Sequence, residues 1–329
     1  MQTQNTNPMA FGVVINKSNS HYTVYHDGEI TICGLSTKLW KTLVQPEANK
    51  RDVREAHSSL ITSIAIGDQV TFVTTNNGEG TLVSLSPRQN CLVRRSARPM
   101  PSAHAVEQPI AANIDQVVPI FAAAQPAPKW GMLDRYLVAA ESCQIPSTIL
   151  ITKVDLVKDE AMESALQDVV KRYEKIGYPV ILTSAVNQQG LEAFRQAMAG
   201  NTSVLVGKSG VGKTTLLNML DPGLGLRVQA VNSTTGKGRH TTTHQEMFAL
   251  STGGAIIDTP GVREFGLWGL EPQEIADFFP EMGPLLGLCK FGLSCQHDEE
   301  PGCAIRAAVM TGEISPYRYK SYLRLRADM

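Results

Sequence analysis

The chain has 329 residues, enough for two or three domains that each enclose a core. With 43% hydrophobic and 19% charged residues it has an ordinary globular composition, and 30 basic against 31 acidic side chains leave a formal charge of −1, so any nucleic-acid surface must be local. No apolar run is long enough to span a membrane, MQTQNTNPMAFG has neither the basic start nor the apolar core of a secretory signal, and six cysteines are too few for a disulfide scaffold; a cytoplasmic, membrane-free protein is expected.

From Phe11 to about Ser86 the chain is a series of short β-rich runs, FGVVI, HYTVYH, EITIC, DQVTFVT and TLVSLS. Asp27-Gly28 between the second and third suits a tight hairpin turn, and five such strands suit an OB-type barrel. The segment from Ser36 to Ser59 carries Lys38, Lys41, Lys50, Arg51 and Arg54 around Trp40. It reads either as an RNA-facing loop, with cations for phosphate and an indole for stacking, or as a solvated loop with Trp40 packed on the barrel. RRSARPMPSAHAVEQP, from Arg94, reads as a linker or exposed turn region.

STILITKVDLV follows, a buried strand ending in Thr152-Lys153-Val154-Asp155. An aspartate there can accept both N1–H and the exocyclic N2–H of guanine, which adenine cannot offer, while the stem of Lys153 lies across the base. YPVILTSAVNQQG is another strand, and the backbone at Ser184 and Ala185 would meet guanine O6. SVLV and TTLLNML then flank Gly207-Lys208-Ser209-Gly210-Val211-Gly212-Lys213-Thr214-Thr215, a phosphate loop in its required strand–loop–helix context. Its glycines let N–H groups turn toward phosphate, Lys213 reaches the β and γ phosphates, and Thr214 binds Mg²⁺. GKGRHTTTH suits a switch loop; among Thr241, Thr242 and Thr243 the favoured metal ligand is Thr242, and His240 positions water or makes a structural contact. GGAIIDTPG places Asp258 at a strand end beside Mg²⁺ and the Gly261 N–H near the γ-phosphate. Val262 stands where many small GTPases have a water-orienting glutamine, so slow intrinsic hydrolysis is expected.

The tail holds Cys289, Cys295, His297 and Cys303, three thiols and an imidazole, the donor set of a closed structural zinc site. Asp298, Glu299 and Glu300 read as solvated. Ser315-Pro316 opens a helix whose Arg318, Lys320, Arg324 and Arg326 would either touch RNA or form a solvated face.

An ordinary GTPase runs phosphate loop, switch threonine, DxxG, [NT]KxD, SA. This chain runs TKVD, TSA, phosphate loop, HTTT, DTPG: a complete set, circularly permuted. At these residues it resembles the ribosome small-subunit-dependent GTPase A (RsgA) family, through IAANIDQVV, MLDRYLVAAE, TKVDLV, the phosphate loop, GKGRHTTT, DTPGVREFGLW and the Cys/His tail, over about residues 88 to 325. Thr152 departs from the asparagine of many relatives, which removes an amide from the loop bracing, and the N-terminus lacks the basic extension that many carry.

The resemblance implies GTP hydrolysis to GDP, an N-terminal OB-fold, one structural Zn²⁺ and late maturation of the small ribosomal subunit through contacts with its rRNA. The expected architecture is multidomain: an OB-fold-like RNA-binding β-barrel (1–93), a linker (94–109), an α/β circularly permuted GTPase domain (110–268) and a mainly helical zinc-binding domain (269–329), acting as a monomer with no membrane partner. Competing readings are a divergent paralogue acting on another RNA-protein particle, an RNA-binding module with negligible turnover, and a P-loop kinase or ATPase.

Overall fold

The computed structural model describes residues 9–18, 21–43, 64–74, 78–95, 107–224, 246–258 and 270–329. Its described residues fall into two compact units: one of residues up to 115 with 198–205 and 246–258, the other of 116–197, 206–224 and 270–329.

In the first unit the short β-rich runs become β1 (Met9–Lys17), β2 (Tyr22–His26), β3 (Glu29–Leu35), β4 (Gln69–Thr74) and β5 (Gly80–Leu85). Ladders run β1–β2–β3–β5–β4 and back to β1, so the sheet closes on itself; β3–β5 is parallel and the others are antiparallel. The β2–β3 turn is Asp27-Gly28 as expected, both at positive φ (47° and 87°), the conformation a two-residue hairpin needs. Alternate residues fill the interior: Val14, Tyr22, Val24, Cys33, Val70, Phe72 and Leu82, joined by Ile64 and by Leu39 from α1 (Thr37–Leu43). The start of the segment read as a basic loop is therefore helix. Lys38 and Lys41 are exposed on it and Trp40 is half-buried, whereas Lys50, Arg51 and Arg54 lie outside the described residues.

One buried charge secures the barrel floor. Asp68, fully buried, accepts the Ala65 N–H at 2.7 Å and a two-pronged contact from Arg88, Nε to Oδ1 at 2.7 Å and Nη2 to Oδ2 at 2.8 Å. Removing one member of a buried pair strands the other, so Arg88→Met is expected to destabilise the barrel by about 3 kcal/mol, the low end of the range because Arg88 is partly exposed. Denaturant unfolding followed by a barrel-specific probe measures it; an unchanged midpoint would contradict it.

β6 (Cys91–Arg95) and β7 (Glu107–Ala112) pair antiparallel, so both ends of the segment read as a linker are strand. β11 (Thr202–Val206), β12 (Glu246–Ala249) and β13 (Ala255–Asp258) form the rest of this unit's sheet, β11 parallel and β12 antiparallel to β13. The Asp115 carboxylate accepts the Thr202 N–H at 2.7 Å.

The second unit contains the parallel ladder β8 (Gln116–Ala122), β9 (Ile149–Thr152) and β10 (Val180–Leu182). β8 is buried along its whole length, which is why QVVPIFA is a continuous apolar run rather than an alternating one. Its helices are α2 (Trp130–Ser142), α3 (Glu160–Ile176), α4 (Leu191–Met198) and α5 (Lys213–Leu220). Asp159 caps α3 by accepting the Met162 N–H, and Gly177 at φ 107° ends it. Three short 3-10 segments then lead to α6 (Ala304–Thr311) and α7 (Pro316–Ala327), which opens with Ser315 as N-cap and Pro316 in its first turn as expected. Their core joins Ile275, Phe279, Met282, Ile305, Ile314, Tyr322 and Leu325 to Val138 of α2. No helix among the described residues is long and apolar enough to cross a membrane.

Candidate nucleotide site and metal centre

The phosphate loop leaves β11 at Gly207, where a Cβ would stand 2.5 Å from the Ile120 carbonyl oxygen, so only glycine lets the loop pass the end of β8. Gly210 and Gly212 follow at φ 82° and 98°, and Val211 between them is buried. α5 begins at once with Lys213, Thr214 and Thr215, and its first N–H groups have no intrahelical acceptors. The Lys213 ammonium donates to the Gly207 carbonyl at 2.6 Å, across the loop it is expected to serve. Ser209 is at the exposed tip, and burial together with nearby Lys129 lowers the Lys208 pKa. Lys129, just before α2, is a cation that the motif reading passed over.

The strand ends that the sequence assigns to the base are tied to this loop. The Thr152 hydroxyl donates to the Val211 carbonyl at 2.5 Å, with the Phe121 carbonyl at 3.3 Å, so it keeps one brace that an asparagine amide would supply. Lys153 adopts a left-handed conformation (φ 57°), and its ammonium donates to Gly210 O at 2.7 Å and Gln125 O at 2.6 Å. Burial lowers its pKa, partly opposed by Asp155. The Ser184 hydroxyl donates to Asp155 Oδ1 at 2.5 Å and accepts the N–H groups of Val186 (3.2 Å) and Asn187 (3.4 Å), with half-buried Ala185 between. Sequence reasoning gave Ser184 a backbone role; its side chain aims the carboxylate. Gln125 contributes only a backbone carbonyl, and the single cue was the proline-rich turn AQPAPK between a strand and a helix. Ser184→Ala is expected to weaken guanine-nucleotide binding about tenfold, the worth of one charge-assisted bond, in a fluorescent-GDP titration. Unchanged affinity would show that Asp155 is aimed without it.

Cys289, Cys295, His297 and Cys303 are all buried, and their ligand atoms lie within 4.8 Å of one another. Cys289 Sγ is 3.9 Å from Cys303 Sγ, and His297 Nδ1 is 3.4 and 3.5 Å from these two sulfurs. A tetrahedron with bonds of about 2.3 Å to sulfur has edges of about 3.8 Å, so the donors fit a zinc-sized ion. Burial pushes the Cys295 thiol up to about 12, raises that of Cys303 and lowers the His297 pKa. The imidazole is thereby kept neutral, the form that ligates, and a bound cation would offset the cost of buried thiolates.

The RsgA GTPase family model matches residues 85–268. The small ribosomal subunit biogenesis GTPase RsgA of Gemmatimonas aurantiaca is 44% identical over 277 residues, 84% of this chain and 87% of that protein. The chain belongs to the RsgA GTPase family. Among solved structures, YjeQ from Thermotoga maritima aligns with TM-score 0.74 at 28% identity, covering 98% of each chain. YloQ, described as a circularly permuted GTPase, aligns at TM-score 0.70 and 29% identity over 100% of this chain and 97% of its own. The protein is therefore a GTPase of permuted order, with an OB-type barrel before the GTPase motifs and a helical Cys/His module after them.

In this RsgA-family chain the Cys/His knuckle is held by its surroundings. Ala304 N–H donates to Cys289 Sγ (3.3 Å) and Arg306 N–H to Cys303 Sγ (3.5 Å), both from the first turn of α6. The Glu300 carboxylate, read as solvated, accepts the N–H groups of Gln296 (2.8 Å) and Asp298 (3.0 Å) and clasps the loop through His297. From α7, Tyr319 OH donates to His297 O (2.7 Å), Tyr322 OH to Gln296 O (3.0 Å), and Arg326 pairs with Asp298 (2.9 Å). The basic face expected on α7 is therefore largely engaged: Arg318 is fully buried, Arg324 donates to Gly131 O at 3.0 Å, and Lys320 stays exposed. Asp258 is buried at the end of β13. His240, Thr241, Thr242, Thr243, Gly261 and Val262 lie outside the described residues.

Proposed function

We propose that this GTPase acts on the small ribosomal subunit late in its maturation, binding it through rRNA in the GTP state and leaving after hydrolysis. The observation that carries the reading is the Asp155 carboxylate held by the Ser184 hydroxyl, next to Lys153, whose ammonium is bound to the phosphate loop, in a chain whose family relatives are named for small-subunit biogenesis. Asp155 accepts N1–H and N2–H of the base, the Lys153 stem covers its plane, and the backbone at Ser184 and Ala185 meets O6.

Gly207 to Gly212 wrap the phosphates, Lys213 neutralises charge on the β and γ groups, and Thr214, Asp258 and Thr242 are assigned to Mg²⁺. When bound, the magnesium ion offsets the negative charge that builds on the transferring phosphoryl group. Gly261 senses the γ-phosphate, and His240 positions water in place of the glutamine absent at Val262. One zinc ion is assigned to Cys289, Cys295, His297 and Cys303 as a structural cofactor. Domain limits are placed at 1–93, 94–109, 110–268 and 269–329, and the site of action is the cytoplasm. Co-sedimentation with purified small subunits tests nucleotide-dependent release: binding with a non-hydrolysable GTP analogue and loss with GDP are expected, and equal binding in both states contradicts it.

A further inference from the structure

We propose that Arg318, on the last helix, is a positioning residue for the guanine nucleotide, acting through α2 and the Gln125 carbonyl on Lys153. The inference rests on the assignment of Lys153 and Asp155 to the base. Arg318 is fully buried and grips two partners. Nη1 donates to Asp134 Oδ1 at 2.6 Å, while Nε and Nη2 reach Glu281 Oε1 and Oε2 at 2.6 and 3.1 Å. Its guanidinium also lies over the Phe279 ring, 4.3 Å from the centroid. Burial alone would lower the Arg318 pKa, but Asp134 and Glu281 outweigh it and push it up, so the group is a fixed cation.

Asp134 is on α2 and is itself fully buried. Its other donor is Tyr173 OH of α3, also on Oδ1 at 2.8 Å, while Oδ2 has no hydrogen-bond partner among the described residues. Arg318 is therefore the cation that permits a carboxylate at this point of α2. α7 also holds the neighbouring turns of α2 through Arg324 to Gly131 O at 3.0 Å, and Asp328, just past its end, pairs with Arg135.

From the start of α2 the route to the nucleotide is short. Trp130 packs on Phe121 of β8, ring centroids 5.7 Å apart, and the Phe121 carbonyl lies against the Thr152 hydroxyl. The segment between β8 and α2 carries Gln125, whose carbonyl is one of two acceptors, among the described residues, that hold the Lys153 ammonium; the other is Gly210 of the phosphate loop. A shift of α2 moves Gln125 and leaves Lys153 held from one side. This would loosen the wall of the base site and its tie to the phosphates without touching the groups that act on the γ-phosphate. The expected kinetic signature is a change in nucleotide affinity with little change in saturated turnover.

The test measures the Kd for N-methylanthraniloyl-GDP and the KM and kcat for GTP in full-length protein, with zinc content and circular dichroism as folding controls. Arg318→Gln is expected to raise Kd and KM together by about threefold to tenfold with kcat unchanged. Arg318→Lys, which keeps the charge but cannot hold both carboxylates, should fall between. Tyr173→Phe removes the other donor to Asp134 with no change of charge and raises Kd in the same direction; it decides the matter if Arg318→Gln does not fold. A lowered melting temperature with wild-type Kd in these variants would reduce Arg318 to a packing role and overturn the proposal. Equal affinity of the wild type for GDP and ADP would instead overturn the guanine assignment on which it rests.

Discussion

Cys303→Ala is expected to empty the metal centre and melt the C-terminal module. Cys303 supplies one of four converging ligands and is also the N-cap of α6, accepting the Arg306 N–H. Three remaining donors leave the ion open, and structural zinc contributes on the order of 10 kcal/mol or more to the folding of small modules. Because α7 braces the knuckle with Tyr319, Tyr322 and Arg326 and grips α2 with Arg318, the damage should reach the GTPase helices as well. Elemental analysis should find one zinc per wild-type chain and almost none in the variant, with an early unfolding transition. A variant that retains one zinc and the wild-type transition would refute the ligand assignment.

Asp155→Ala should abolish discrimination between guanine and adenine nucleotides. A carboxylate receiving two donors from the base is worth about 1.5–3 kcal/mol per bond, so GTP affinity should fall roughly a hundredfold to ten-thousandfold. ATP, which makes neither bond, should bind as weakly as before. The effect should be far larger than that of Ser184→Ala, which leaves the carboxylate in place but less well aimed. Competition between GDP and ADP for a fluorescent nucleotide measures both variants on one scale. Selectivity retained in Asp155→Ala would mean that the base is read elsewhere.

What was legible in the sequence follows from how local each feature is. The phosphate loop is contiguous, so glycine spacing and the flanking strand and helix sufficed. The barrel strands are short β-rich runs, and with the Asp27-Gly28 turn that composition was enough to mark them. TKVD and TSA are discontinuous but end recognisable strands, and the permuted order only rearranged intact motifs. Features carried by the backbone or by distant partners were not legible. Gln125 contributes a carbonyl that any residue type would have. Arg318 looked like one cation among several on YRYKSYLRLR because its partner Asp134 is 184 positions away and the buried face of that helix includes arginine and tyrosine as well as leucine. The ends of the segment read as a linker pair as β6 and β7, and RRSARP and EQP carry turn-prone residues that outweighed their strand character in a local reading. Thr152 looked like the loss of a brace, yet its hydroxyl still reaches Val211 O.

The most direct test of the account is GTP turnover by the purified full-length protein, alone and with isolated small ribosomal subunits, using large subunits and ATP as controls. Slow intrinsic turnover of GTP, strong stimulation by small subunits only, and negligible turnover of ATP are expected. Turnover that small subunits leave unchanged, or that large subunits raise as much, would contradict it.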